Sequence, residues 1–291
     1  MKLIESKVEV IEQQPGLDGV YKQIELAGRT CYKSEDKITE DSAKEFVGRM
    51  IKSNHGAMLE HGAVYLCIEN YTDIDEEKYK LNSYSRATCV FPNLLYVTTN
   101  MRVLVEHGWL DDLKWICEPT EYHEKRITAR FICDRGVSHE IVRHRVMSFA
   151  MESTRYCNYG KDKFGNELTY VSPSWLDINK LLPLVNLANK DNKEVYKMGH
   201  DESLSNEDRA MCSFIYDLSN CEHGYIFQIK CGWQAQQARQ LLPNALKTEI
   251  VVTGFESDWE HFFELRTAGA AHPDIRKLAL ELQEKLNSVN K

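Results

Sequence analysis

"KRITARFICDRGVSHEIVRHRVMSFAMESTRY" (residues 125–156) changes character twice in 32 positions. Residues 125–135 place Ile127, Ala129, Phe131 and Cys133 at every second position, which is the pattern of a strand. "SHEIVRHR" (138–145) follows as a short helix. A loop is expected from there on, held at a strand-helix junction where rigid neighbours can fix functional side chains.

The end of this stretch concentrates positive charge. Between 143 and 156 stand Arg143, Arg145 and Arg155, with Glu152 as the one acid. Guanidinium forks bind phosphate bidentately, and Ser148 and Ser153 add short hydroxyl donors. His144, lying between two arginines, is expected to be neutral and able to donate or accept through its ring. Two readings stay open on chemistry alone. The cluster holds an anion such as a phosphorylated small molecule, or it forms salt bridges with carboxylates elsewhere in the fold.

Working outward, residues 1–10 read as a strand and 16–32 as a helix. "DSAKEFVGRMIKSNH" (41–55) is an amphipathic helix with Ala43, Phe46, Val47, Met50 and Ile51 on one face. "GAVYLCIEN" (62–70) and "LLYVTT" (94–99) read as strands, and 100–117 as a helix. Residues 71–92 read as a polar excursion. A helix is expected at 174–187, a linker-like stretch at 189–208, and a long helix at about 204–230. A helix at 233–243 stops at Pro243. A strand at 246–255, a helix at 257–268 and a last helix at 272–288, with Pro273 in its first turn, complete the chain. Without strict βαβ alternation this order favours α+β over a doubly wound sheet. No GxGxxG follows a strand and no GxxxxGK[ST] occurs, so the Rossmann fingerprint and the P-loop are both missing.

The 291 residues carry a net charge of −8. That opposes a general nucleic-acid coat or an anionic-membrane binder, which need a broad basic field. It leaves room for one local anion pocket. Nine cysteines, an odd number with no CxxC pair, argue against a disulfide scaffold or a structural zinc site. No stretch reaches the roughly 18 apolar residues of a membrane span, and "MKLIESKVEV" lacks the apolar core of a signal peptide. The expectation is a cytoplasmic protein with reduced thiols.

Arg143-His144-Arg145, seven residues, then Ser153-Thr154-Arg155-Tyr156 resembles the signature of the flavin-dependent thymidylate synthases. "HGAMLEHGAVYLCI" (55–68) resembles that family's HxxxxEH segment. "ARQLLPNALKTEIVV" (238–252) resembles its ARxxLP helix end and following strand, and "HFFELRTAGAAHPDIRKLA" (261–279) its FxxLR helix and closing helix. The resemblance implies an α/β subunit of α+β type: a mixed sheet with packed helices, the fold of thymidylate synthase complementing proteins. It implies a single catalytic domain over 1–291, with atypical excursions around 71–92 and 160–208, assembled as a homotetramer. The implied reaction is reductive methylation of dUMP to dTMP, with 5,10-methylenetetrahydrofolate as carbon donor, NADPH as reductant and FAD as cofactor. No enzyme cysteine attacks the substrate, so Cys157 is a bystander.

By the same resemblance, dUMP contacts fall on Glu140, Arg143, Ser153, Thr154, Arg155, Arg239 and Arg266, and FAD contacts on His55, Ala57, Arg143, His144, Arg145, Met151 and His261. Arg266 is the catalytic residue, promoting ionisation of uracil N3 so that electron density reaches C5. No metal is implied. The chain departs from the family at Ala150-Met151, where Asn-Glu is usual, and at Glu140, where Gln is usual. Backbone groups, water or adjacent Glu152 are the candidates to replace the hydrogen bonds of the lost pair. Two other functions fit the same residues less well. One is hydroxymethylation of dUMP on this scaffold, suggested by Ala150-Met151. The other is a non-catalytic nucleotide- or RNA-binding protein, which the net charge opposes.

Overall fold

The computed structural model describes residues 1–90 and 92–289. Among the described residues the strands are β1 (Lys2–Ile4), β2 (Lys7–Ile11), β3 (Ala63–Glu69), β4 (Arg86–Val90), β5 (Leu94–Asn100), β6 (Arg126–Asp134), β7 (Ser148–Met151), β8 (Thr169–Val171) and β9 (Lys247–Phe255). A four-stranded antiparallel sheet runs β2-β6-β9-β7. A three-stranded antiparallel sheet runs β3-β5-β4, and β1 pairs with β8 in parallel. The architecture is mixed, of α+β type.

The four-stranded sheet explains the periodicity of 125–135. Ala129, Phe131 and Cys133 face a core built with Trp259, Phe262 and, from the last helix, Ile275, Leu278 and Leu282. Burying aromatic side chains of this size contributes about 2–3 kcal/mol each. That helix, Pro273–Val289, opens on Pro273, where the missing N–H costs nothing. The helix Gly16–Tyr32 lies against the opposite face, where Ala27 meets Ala150 and Val251.

Several expectations need correction. The strand expected at 1–10 breaks at Glu5-Ser6, and its halves join different sheets. The helix expected at 100–117 stops at Glu106, because Gly108 takes a positive φ of 71° that ends the turn. A 3-10 segment, Leu110–Trp115, follows. The excursion at 71–92 contains the capped helix Asp73–Lys80 and β4, which completes the three-stranded sheet. The linker-like stretch is largely helix. Ile178–Gly199 runs on with a kink at Asp191 and packs along Asn206–Lys230, burying Leu181, Val185, Val195, Met211 and Ile215. Its polar composition is that of a solvated face. The loop expected after 145 is interrupted by β7, whose four residues pair with β9 from Ser148↔Thr253 to Met151↔Ile250.

All nine cysteines are free. Among the described residues no helix is long and apolar enough to cross a membrane.

Candidate active site

The site grows from the junction between β6 and β7. Asp134 caps the helix Arg135–Ile141 by accepting from the Val137 N–H at 2.9 Å. The chain then turns through 142–147 and re-enters the sheet as β7, which leaves Arg143 and Arg145 exposed and His144 buried.

His144 joins Arg266, 122 residues away. Arg266 Nε donates to His144 Nε2 at 2.9 Å, Nη1 donates to the Glu140 carboxylate at 2.8 Å, and Nη2 donates to the Glu140 carbonyl at 3.1 Å. To accept, His144 must be neutral at Nε2. Burial, reinforced by the Arg266 guanidinium and then by His261, pulls its pKa down to about 4. The neutral form expected from sequence is present, but its cause is not the flanking arginines. The Phe262 ring stands edge-on to the imidazole at 4.9 Å, and His261, largely exposed, lies 6.3 Å from it.

A second group gathers after β7. The Ser153 N–H donates to the Cys31 carbonyl at 2.9 Å, which ties this loop to the end of the first long helix. Ser153 Oγ accepts from the Arg155 N–H at 3.4 Å. Buried Thr154 accepts from Arg239 Nη1 at 3.4 Å. Arg155 extends over Tyr156, 5.5 Å from its ring centre. Among the described residues, Arg143, Arg145, Arg155 and Arg239 have no carboxylate within 4 Å. Arg266 does, in Glu140. The salt-bridge reading therefore fits one of these five arginines.

The third group is the turn before β3. His55 precedes the short helix Gly56–Leu59, which packs against β7. His55 and Ala57 are both exposed. His61 is fully buried, with Nδ1 2.9 Å from Thr253 Oγ1, and burial followed by the nearby Arg126 charge drops its pKa to about 3.

The departures have structural consequences. Ala150 is packed between Ala27 and Val251. Met151 is half-buried against the core on the other face of the sheet. Glu152 does not replace a lost carboxylate at the surface. It is buried, accepting from Tyr159 Oη at 2.8 Å and Lys247 Nζ at 2.9 Å. Lys247 also reaches Glu249 at 2.6 Å, and Glu249 takes a second cation, Lys33, at 3.0 Å. Burial opposes ionisation of Glu249, yet the two lysines hold it down at about 2.

Cys157 is buried beside this network, and burial with the Glu152 charge pushes its thiol up to about 12. A cavity of about 280 Å³ is bounded by Glu140 with Asp134, Trp175, Phe214, His272 and Asp274. A larger one, about 360 Å³, lies near Tyr65, Arg126 and Glu118, and none of the residues predicted from sequence lines it.

Sequence reasoning missed Lys247, Glu249 and Arg126. The available signal was the other half of the strand alternation. Arg126, Thr128 and Arg130 alternate with the apolar set of β6, and Lys247 and Glu249 alternate at the start of β9, so both strands had to carry polar groups on one face.

The family model described as thymidylate synthase complementing protein matches residues 121–290. A flavin-dependent thymidylate synthase of Mycolicibacterium gilvum is 31% identical over 282 residues, 96% of this chain and 80% of that protein. The Corynebacterium glutamicum protein of the same name is 23% identical over 278 residues, 95% and 79% of the two chains. Against the Geobacter sulfurreducens protein of that name, 27% identity extends over 53% of each chain. Among solved structures, a UMP/dUMP methylase from Streptomyces cacaoi bound with 5-Br dUMP aligns with a TM-score of 0.45 and 17% identity, covering 99% of this chain and 93% of the other. With the matched model spanning most of the chain, and with relatives aligned along nearly all of it, the protein belongs to the flavin-dependent thymidylate synthase family.

Proposed function

We propose that the protein methylates dUMP to dTMP, taking the carbon from 5,10-methylenetetrahydrofolate and the reducing equivalents from NADPH through FAD. It acts in the cytoplasm as a single catalytic domain over 1–291, assembled as a homotetramer. The observation that carries this reading is the set of exposed guanidiniums that have no carboxylate within 4 Å among the described residues, Arg143, Arg145, Arg155 and Arg239, together with Arg266, held by a neutral histidine. Guanidiniums without a carboxylate partner are free to take anions, and the phosphates of a flavin nucleotide and of a pyrimidine monophosphate are suitable in charge and geometry.

The donor set fits both molecules. His55, Ala57, Arg143, His144, Arg145, Met151 and His261 would hold FAD, with Met151 reduced to its backbone and the exposed edge of its side chain. Arg143, Ser153, Thr154, Arg155 and Arg239 would hold the nucleotide, with Glu140 and Arg266 at the base. The flavin, when bound, supplies the hydride. Arg266 stabilises negative charge developing on the pyrimidine as its N3 proton leaves. Its aim is fixed in advance by Glu140 and His144, which lowers the cost of reorganisation. A buried thiol raised to about 12 is unsuited to nucleophilic attack, in keeping with a route that needs none. Exposure of the guanidiniums in one chain supports a site closed by a second copy.

The test is direct. Purified protein should be yellow and should convert dUMP to dTMP with methylenetetrahydrofolate and NADPH, identified by product mass. A product one oxygen heavier would indicate hydroxymethylation. Protein that neither binds FAD nor turns over dUMP would remove the reading.

A further inference from the structure

β6 presents two unlike faces. Opposite its apolar residues stand Arg126, Thr128 and Arg130. Arg130 pairs with Glu9. Thr128 Oγ1 and Thr253 Oγ1 lie 2.9 Å apart, and Thr253 meets His61. Arg126 is different. Among the described residues no carboxylate lies within 4 Å of it, and Glu60, the nearby acid, is paired with Arg102. Arg126 as a whole is half-buried, but its Nε is enclosed and without a partner. Burial pulls its pKa down to about 10, so it remains charged at neutral pH.

Its two hydrogen bonds reach separate parts of the chain. Nη1 donates to the Glu60 carbonyl at 2.7 Å, and Nη2 donates to Ser148 Oγ at 3.2 Å. Glu60 ends the turn that carries His55 and Ala57. Ser148 begins β7, three residues after Arg145. One rigid fork therefore sets the separation between the His55–Glu60 turn and the Arg143–Arg145 turn.

Enclosing a guanidinium with no carboxylate within 4 Å among the described residues costs stability, which its two hydrogen bonds and its approach to the Phe255 ring at 5.5 Å offset only in part. A planar guanidinium with two fixed acceptors gives geometric definition that a lysine ammonium cannot reproduce.

We propose that Arg126 is a positioning residue that locks the His55–Glu60 turn against the Arg143–Ser148 turn in the geometry that receives the flavin. The flavin part of this inference rests on the function proposed above; the locking does not. The test uses the full-length protein with Arg126→Met and Arg126→Lys. Three quantities are read: melting temperature, amide exchange in residues 55–61 and 146–150, and the FAD dissociation constant. For Arg126→Met the melting temperature should fall by only a few degrees, exchange should quicken in both segments together, and FAD should bind more weakly by on the order of tenfold. Arg126→Lys should fall between it and the parent. Unchanged exchange and unchanged FAD affinity in Arg126→Met would overturn the proposal, and so would losses that merely track a lowered melting temperature. If the parent binds no flavin, the functional reading fails and amide exchange alone decides the locking. If Arg126→Met does not fold, Arg126→Lys decides in the same way.

Discussion

The Arg266 guanidinium donates through Nε to His144 Nε2 at 2.9 Å, so the imidazole serves as an acceptor and holds the arginine by remaining uncharged. Burial, with Arg266 beside it, keeps the pKa of His144 near 4, below the usual histidine value of about 6.5. The unfolded chain therefore binds more protons than the folded one between these values. This contribution to stability is complete above about pH 6.5 and is lost as pH falls towards 4. Ring signals of His144 in a titration by NMR should show neutral imidazole at pH 6 and a midpoint near 4. A midpoint near 6.5 would mean that the Arg266 contact does not persist in solution.

Glu140 compensates the charge of Arg266 across 2.8 Å. In Glu140→Gln the amide oxygen can still accept from Nη1, so Arg266 stays in place while a negative charge leaves the pocket. Nucleotide monophosphate should bind more tightly, by about 1 kcal/mol or roughly fivefold for this partly exposed pair. Calorimetric titration with dUMP measures it, and weaker binding would place the phosphate elsewhere.

The four exposed arginines make separable predictions. Alanine at 143, 145, 155 or 239 removes no ion pair found among the described residues, so unfolding free energies should move by about 0.5 kcal/mol or less. Affinity for FAD or dUMP should drop by about 1.5–3 kcal/mol for each charge-assisted hydrogen bond to phosphate that the substitution removes. Urea unfolding alongside ligand titration separates the two effects. A large stability loss with unchanged affinity would favour a structural role.

Glu152 predicts the reverse. It is buried and joined to Lys247 and Tyr159, so Glu152→Ala strands the Tyr159 hydroxyl and leaves Lys247 with Glu249 as its one carboxylate. Urea unfolding should show a loss of about 1–3 kcal/mol. Lys180→Ala, which breaks the exposed pair with Glu207, should cost about 1 kcal/mol or less in the same assay.

The sequence revealed the elements whose period is strong. Alternation at 125–135 marked the central strand, and the apolar face of 41–55 marked a helix observed at Ser42–Lys52. Short elements whose pairing is decided elsewhere were not legible. β7 has four residues and exists because β9 offers an edge from Ile250 to Thr253. The helix through 189–199 looked like a linker because one face is solvated and its partner helix begins at Asn206. In the site, the arginine cluster was visible as residue types along the chain. Its division into unpaired guanidiniums and one that is clamped was not, because Glu140 and Arg266 lie 126 positions apart. Arg126 was legible only as a member of the polar face of its strand; its acceptors, a backbone carbonyl and a serine, leave no pattern in sequence.

The most direct test of the account is a crystal structure of the protein with FAD and dUMP bound. Arg143, Arg145, Arg155 and Arg239 should turn onto phosphate oxygens at about 3 Å, with Arg266 facing the pyrimidine while still held by His144. Guanidiniums that pair instead with carboxylates of a neighbouring copy, leaving both ligands unbound or bound elsewhere, would contradict it.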